Sequence, residues 1–239
     1  MTEDNTQNKN LLSRRTAVIG GESVAGIAVA GAGIYMASPD TEMSIVTEAH
    51  AQAKLEDLMQ PGSIPEKWSG NKDAAVTIVE YSSLSCPHCA NFHKTTLPGL
   101  KKKYIDTGKI RYVIRDFPLN NPALAGSMVA RCADDSKYFP FLEVLFAKQE
   151  QWAFAGQGKV EQELFNLAKQ VGFTEASFKK CFQDDKLFKG IMAVRERGAN
   201  QFGVNSTPTF FINGELLSGA QDLASFEKVI DPILEKAKN

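Results

Sequence analysis

The chain has 239 residues, 43% of them hydrophobic, with 27 basic against 28 acidic side chains and a formal net charge of −1. That length permits one ordinary domain carrying tails or an insertion, and the apolar fraction is enough for a sizeable core. The balanced charge leaves no basic excess to neutralise phosphates, which excludes nucleic-acid binding as a leading class; Lys101-Lys102-Lys103 is a short run that reads as a solvated helix face.

At the N-terminus, Lys9, Arg14 and Arg15 precede an uncharged stretch, Ser23 to Ala37, rich in Ala, Gly, Val and Ile. A basic region followed by an apolar one of this length is the pattern of an export signal, and Ser13-Arg14-Arg15 resembles a twin-arginine signal. No clean small-x-small cleavage site follows, so the alternative is an uncleaved anchor over Thr16–Ala37. Residues 1–38 are thus expected to carry the protein out of the cytoplasm, as a signal or as a membrane anchor. Residues 39–65 read as a connector with Pro39, Pro61 and Pro65 and a short helix around Glu48–Met59.

Val76-Thr77-Ile78-Val79-Glu80-Tyr81 is a β-prone run, apolar on both faces but for Glu80, which predicts a buried central strand. A carboxyl group there is expected to be buried, with its pKa raised because burial disfavours the charged form. After the turn Ser82–Ser85, a helix is expected from Cys86 to about Tyr104, ended by Asp106-Thr107-Gly108, and then a second strand over Ile110–Phe117. Strand–helix–strand makes the fold α/β. From about 118 to 200 the pattern is helical: Pro122–Cys132, Phe139–Gln149, Val160–Val171, Glu175–Phe182 and Leu187–Phe202, a block long enough to be an insertion with its own small core. Strand signals return at Thr209–Ile212 and Glu215–Leu217 around Asn213-Gly214, a strong hairpin signal, and an amphipathic helix over Gln221–Lys238 closes the chain.

The chain has four cysteines: Cys86, Cys89, Cys132 and Cys181. In an oxidising compartment an even number usually pairs. Cys132 lies on the apolar stripe of Leu124 and Met128, and Cys181 follows Phe178 by one turn; both are expected to point inward and form a structural disulfide, the alternative being two buried thiols. Cys86-Pro87-His88-Cys89 has different chemistry. Two cysteines at a helix start can close a small disulfide ring. The unpaired N–H groups and positive dipole end of the first turn favour a thiolate at Cys86. Pro87 suits the first helical position, and His88 can add positive charge or an N–H donor. Cys89, one turn in and more buried, suits a resolving role. Cys86, His88, Cys89 and His93 could also be read as metal ligands, but four ligands on so short a helical stretch do not easily converge on one tetrahedron. No metal or cofactor is expected, and His93 is expected at the surface, partly exposed.

The run Val79-Glu80-Tyr81 … Cys86-Pro87-His88-Cys89, with Asn205-Ser206-Thr207-Pro208-Thr209-Phe210-Phe211-Ile212-Asn213-Gly214 far downstream, resembles the DsbA family of periplasmic thiol–disulfide oxidoreductases over residues 66–239. The resemblance implies a thioredoxin fold with a helical insertion domain, Cys86 as nucleophile and Cys89 as resolving thiol. It implies a cis peptide before Pro208 facing the disulfide, with Thr207 presenting backbone groups to an extended substrate, and Glu80 as the carboxylate that exchanges protons with the buried thiol. It implies a monomer that oxidises reduced exported proteins and is reoxidised by a DsbB-like, quinone-linked membrane partner. Thr207 stands where the oxidases typically carry Val and related isomerases carry Thr, so a reductase or isomerase on the same fold is the second reading; a metal-binding or chaperone module is the third.

Overall fold

The computed structural model describes residues 52–156 and 158–238; the expected export segment and the first part of the connector lie outside them. The described part of the connector is docked on the fold. Ala53 N–H donates to the Gly214 carbonyl at 2.9 Å, and α1 (Leu55–Leu58) is held by the buried Arg115, whose guanidinium donates to the Leu58 carbonyl at 2.5 Å, to Glu66 at 3.0 Å and to the Tyr81 hydroxyl at 2.9 Å. The expected helix around Glu48–Met59 is a single turn within its described part.

Strands β1 (Lys67–Gly70), β2 (Val76–Ser82) and β3 (Ile110–Asp116) form one side of the sheet. β2 runs parallel to β3 and β1 antiparallel to it. β1 has no counterpart in the sequence reading, because four residues with only alternate side chains half-buried carry little signal. The register placing Glu80 opposite Ile114 leaves every residue of β2 buried, as a central strand covered on both faces requires.

The helix expected from the cysteines to Tyr104 is broken. α2 (Pro87–Thr95) stops before Pro98, α3 is only Leu97–Leu100, and Lys101–Ile105 forms a wider π turn. Proline lacks the N–H for the i→i−4 bond and its ring crowds the carbonyl of Lys94. The break is fastened by the Thr96 hydroxyl, which donates to the Gln221 carbonyl at 3.0 Å.

Between β3 and β4 (Thr209–Ile212) the chain is helical: α4 (Asn121–Cys132), α5 (Asp135–Ala147), α6 (Gln149–Trp152), α7 (Val160–Ala168), α8 (Glu175–Cys181) and α9 (Asp185–Phe202). Phe141, Phe146, Trp152, Leu164 and Phe178 of this block belong to one apolar cluster with Ile78, Phe92, Ile110 and Phe210. The insertion therefore shares the core of the sheet instead of building its own. Asn213 (φ 49°) and Gly214 (φ 95°) make the tight turn into β5 (Glu215–Ser218), with positive φ at both central positions as a two-residue hairpin demands. The sheet order is β1-β3-β2-β4-β5, and α10 (Leu223–Lys236) packs Phe226 and Ile230 into the shared core.

Candidate active site

β2 delivers the chain to a short loop, and Cys86 is the N-cap of α2 with extended backbone (φ −86°, ψ 118°) and Pro87 next in line. The thiols differ in access: Cys86 is 6% exposed and Cys89 0%. The loop is clamped from the insertion. Gln149 of α6, itself buried, donates through Nε2 to the carbonyls of Leu84 at 2.9 Å and Cys86 at 3.0 Å. From below, Ser83 N–H points at the Cys89 sulfur at 3.5 Å.

Opposite Cys86 lies the Thr207–Pro208 peptide, in the cis form. As a thiol, Cys86 donates to the Thr207 carbonyl at 3.2 Å. The Thr207 hydroxyl beside it is buried and has no hydrogen-bond partner among the described residues, and it favours the sulfur as a thiolate.

These contacts set the two thiols apart. A hydrogen bond from the Cys89 thiol does most to lower the Cys86 pKa, from 9.0 to about 5. Burial opposes it, and the Thr207 hydroxyl and the backbone N–H groups of Cys89 and His88 assist. Each donor favours only the charged sulfur. Cys89 is pushed well up, first by burial, then by its bond to the Cys86 sulfur and by the nearby Glu80 charge. The acceptor thiolate and the protonated donor are thus one coupled pair.

His88 is exposed, and its assistance comes through its backbone N–H; the expected role of its ring as a partner for the sulfur has no contact behind it. His93 departs further from expectation. It is 8% exposed, its Nε2 lies 3.1 Å from Glu80 Oε1, and its ring stacks on Phe146 with centroids 3.9 Å apart. One turn beyond Cys89, it falls on the same buried face of α2, which is why it does not reach the surface. Glu80 is 0% exposed and accepts a second hydrogen bond from the Tyr112 hydroxyl on β3. Among the described residues no cluster of His, Cys, Asp or Glu could hold a metal ion.

Sequence reading missed Gln149, Tyr112 and the inward turn of His93. Nothing local marks Gln149, a glutamine opening the one-turn helix α6. Tyr112 sits two positions from Ile114, the residue opposite Glu80, so strand periodicity would have paired the two had the register been known. Away from this site, Cys132 at the end of α4 and Cys181 at the end of α8 are joined in a disulfide with Cα atoms 6.0 Å apart.

Residues 63–232 match the family model described as thioredoxin. Alpha-DsbA1 of Wolbachia pipientis superposes with a TM-score of 0.71 at 31% identity, over 77% of this chain and 98% of that one. The chain belongs to the DsbA family. A Rickettsia bellii protein named as a protein-disulfide oxidoreductase is 36% identical over 171 residues, 71% of this chain. The chain spans only 65% of that relative's length. A Bacillus anthracis protein named as disulfide bond formation protein D is 29% identical over 70% of this chain and 77% of its own. In DsbA terms, the loop with Cys86 and Cys89 that follows β2 faces the cis-proline loop leading into the neighbouring strand β4, with Gln149 of the helical insertion closing over one side.

Proposed function

We propose that the chain is a dithiol oxidase that passes a Cys86–Cys89 disulfide to the cysteines of exported proteins. A substrate thiolate attacks Cys86, the Cys89 sulfur leaves and takes up a proton, and a mixed disulfide joins Cys86 to the substrate. A second substrate thiolate then attacks the substrate sulfur, and Cys86 leaves as a thiolate. The substrate is oxidised by two electrons, and the enzyme dithiol carries them away. Thr207 and cis-Pro208 present backbone groups to the extended substrate, and Pro87 starts the helix whose N–H groups face the sulfur. Glu80 exchanges protons with Cys89. A DsbB-type, quinone-linked membrane partner reoxidises the pair in the periplasm, with residues 1–38 acting as signal or anchor and the enzyme working as a monomer. Among the described residues no helix is long and apolar enough to cross a membrane.

The observation that carries this reading is the placing of Cys86 at the N-cap of α2 with Cys89 one turn behind it, where the Cys89 thiol and the backbone N–H groups of Cys89 and His88 lower the Cys86 pKa. Stabilising the thiolate stabilises the reduced form, so the disulfide is the form readily given away, and a low-pKa thiol is a good leaving group. The Thr207 hydroxyl beside Cys86 favours a second reading, a reductase or isomerase on the same fold. Equilibration of the purified protein with glutathione buffers decides between them. A potential well above that of the glutathione pool supports the oxidase, and one below it overturns that assignment.

A further inference from the structure

Glu80 and the thiol it serves are both sealed from solvent, so protons reaching Cys89 need a route. Glu80 has two polar contacts, the Tyr112 hydroxyl and His93 Nε2. Tyr112 is fully buried, and its pKa is pushed well up by burial and by the Glu80 charge, so that path ends in the core. His93 leads outward. It forms part of the wall of a cleft of about 340 Å³ between α2 and α5, with Lys94, Lys101, Glu143 and Phe146. With Nε2–H donating to Glu80, Nδ1 is the acceptor nitrogen; it is itself buried and has no partner among the described residues, so the ring forms the last closed layer between Glu80 and the cleft.

We propose that His93 relays protons between Glu80 and the cleft, and that this relay gates the step in which Cys89 gains or loses its proton. The inference rests on Cys86–Cys89 being the redox pair. When the disulfide is passed to a substrate, the Nε2–H proton of His93 moves onto the Glu80 carboxylate and from there to the departing Cys89 thiolate, and the buried Nδ1 collects a replacement from water entering at the cleft wall. When Cys89 attacks a mixed disulfide at Cys86, the proton runs the other way and the partner's thiolate leaves. Imidazole suits this task because one nitrogen can accept as the other donates. His93 acts through Glu80 and is a positioning and relay residue; it touches no reacting sulfur. The charged and titratable groups facing it are Glu80 from β2, Tyr112 from β3, Cys89 and Lys94 from α2, Lys101 from the π turn and Glu143 from α5, and the pH profile of the step reports on this set as a whole.

The test follows oxidation of the reduced full chain by oxidised glutathione, which releases one glutathione as Cys86 attacks and a second as Cys89 resolves the mixed disulfide. His93→Gln keeps an amide donor toward Glu80 but cannot carry a proton. It is expected to leave the first release unchanged and to slow the second on the order of tenfold, less than the hundredfold or more attached to a group at the reacting atom itself, with a flattened pH profile. His93→Ala is expected to show the same slowing and, because it enlarges the cleft, to recover with added imidazole. A His93→Gln protein whose second step keeps the wild-type rate and pH profile overturns the relay, as does a folded His93→Ala protein that imidazole does not restore. If His93→Ala does not fold, the Gln variant decides alone. If the wild type shows no first release, or Cys86→Ser shows it equally, the redox-pair assignment itself fails, an outcome the His93 variants cannot mimic.

Discussion

The potential of the Cys86–Cys89 couple should change its pH dependence near pH 5, and the structure sets how much. Reduction adds two electrons, and the dithiol binds two protons below the Cys86 pKa of about 5 but one above it, since Cys89 is pushed up and stays protonated. Each bound proton moves a two-electron potential by about 30 mV per pH unit. The slope should therefore be about 59 mV per pH unit below pH 5 and about 30 mV from there to pH 8. The energetic advantage over a thiol at 9.0 follows from the same interval. Because the folded pKa is depressed, the stabilisation of the reduced form is fully present only above the ordinary thiol value. It shrinks as pH falls and is gone below about 5. At pH 7 the two pH units remaining are worth about 2.7 kcal/mol at 1.36 kcal/mol each, or about 60 mV. This is the upper end, since solvent reaches one edge of the sulfur and screens it. The assay is a glutathione redox titration at closely spaced pH values from 4 to 8 (about the span over which the slope changes), read by acid quenching and chromatographic separation of the oxidised and reduced protein. A slope that stays near 59 mV per pH unit through pH 7 would falsify the thiolate argument, because the dithiol would then be binding both protons throughout.

Other perturbations reach the same site from different sides. Cys89→Ala removes the donor that does most to lower the Cys86 pKa; a charge-assisted hydrogen bond worth about 1.5–3 kcal/mol corresponds to a rise of about one to two pH units. A titration of the single-thiol variant still centred near 5 would assign the effect to the backbone N–H groups instead. Glu80→Gln should slow resolution of the glutathione mixed disulfide by Cys89 while leaving far-ultraviolet circular dichroism unchanged; equal rates across pH would remove Glu80 from proton transfer. Gln149→Met leaves the Leu84 and Cys86 carbonyls without their donor and should cost about 1–3 kcal/mol in denaturant unfolding, and a change below about 0.5 kcal/mol, the surface-substitution level, would show that the clamp is dispensable. Replacing Cys132 and Cys181 together by Ala should cost about 4 kcal/mol for a loop of 49 residues while thiol exchange at Cys86 persists; two free thiols at those positions in the native, unreduced protein would contradict the bond.

What the sequence determined is local chemistry. Cys86-Pro87-His88-Cys89 contains its own explanation, since the spacing, the proline and the helix start act within one turn. A lone carboxyl in the run Val76–Tyr81 marks Glu80 as buried because a strand apolar on both faces has no surface side, and Asn213-Gly214 dictates its turn through positive φ. Tertiary structure decided what those residues meet. Gln149 reaches the cysteine loop from 63 residues away, Thr207 from 121, and the merging of the insertion with the sheet's core depends on α5 packing against α2. His93 is the clearest case: sequence placed it on the same helix face as Cys89, but only the α5 side chain Phe146 stacked over it and Glu80 beneath it turn that face inward. Periodicity identifies a residue's face, and only the packed partners decide whether that face is covered.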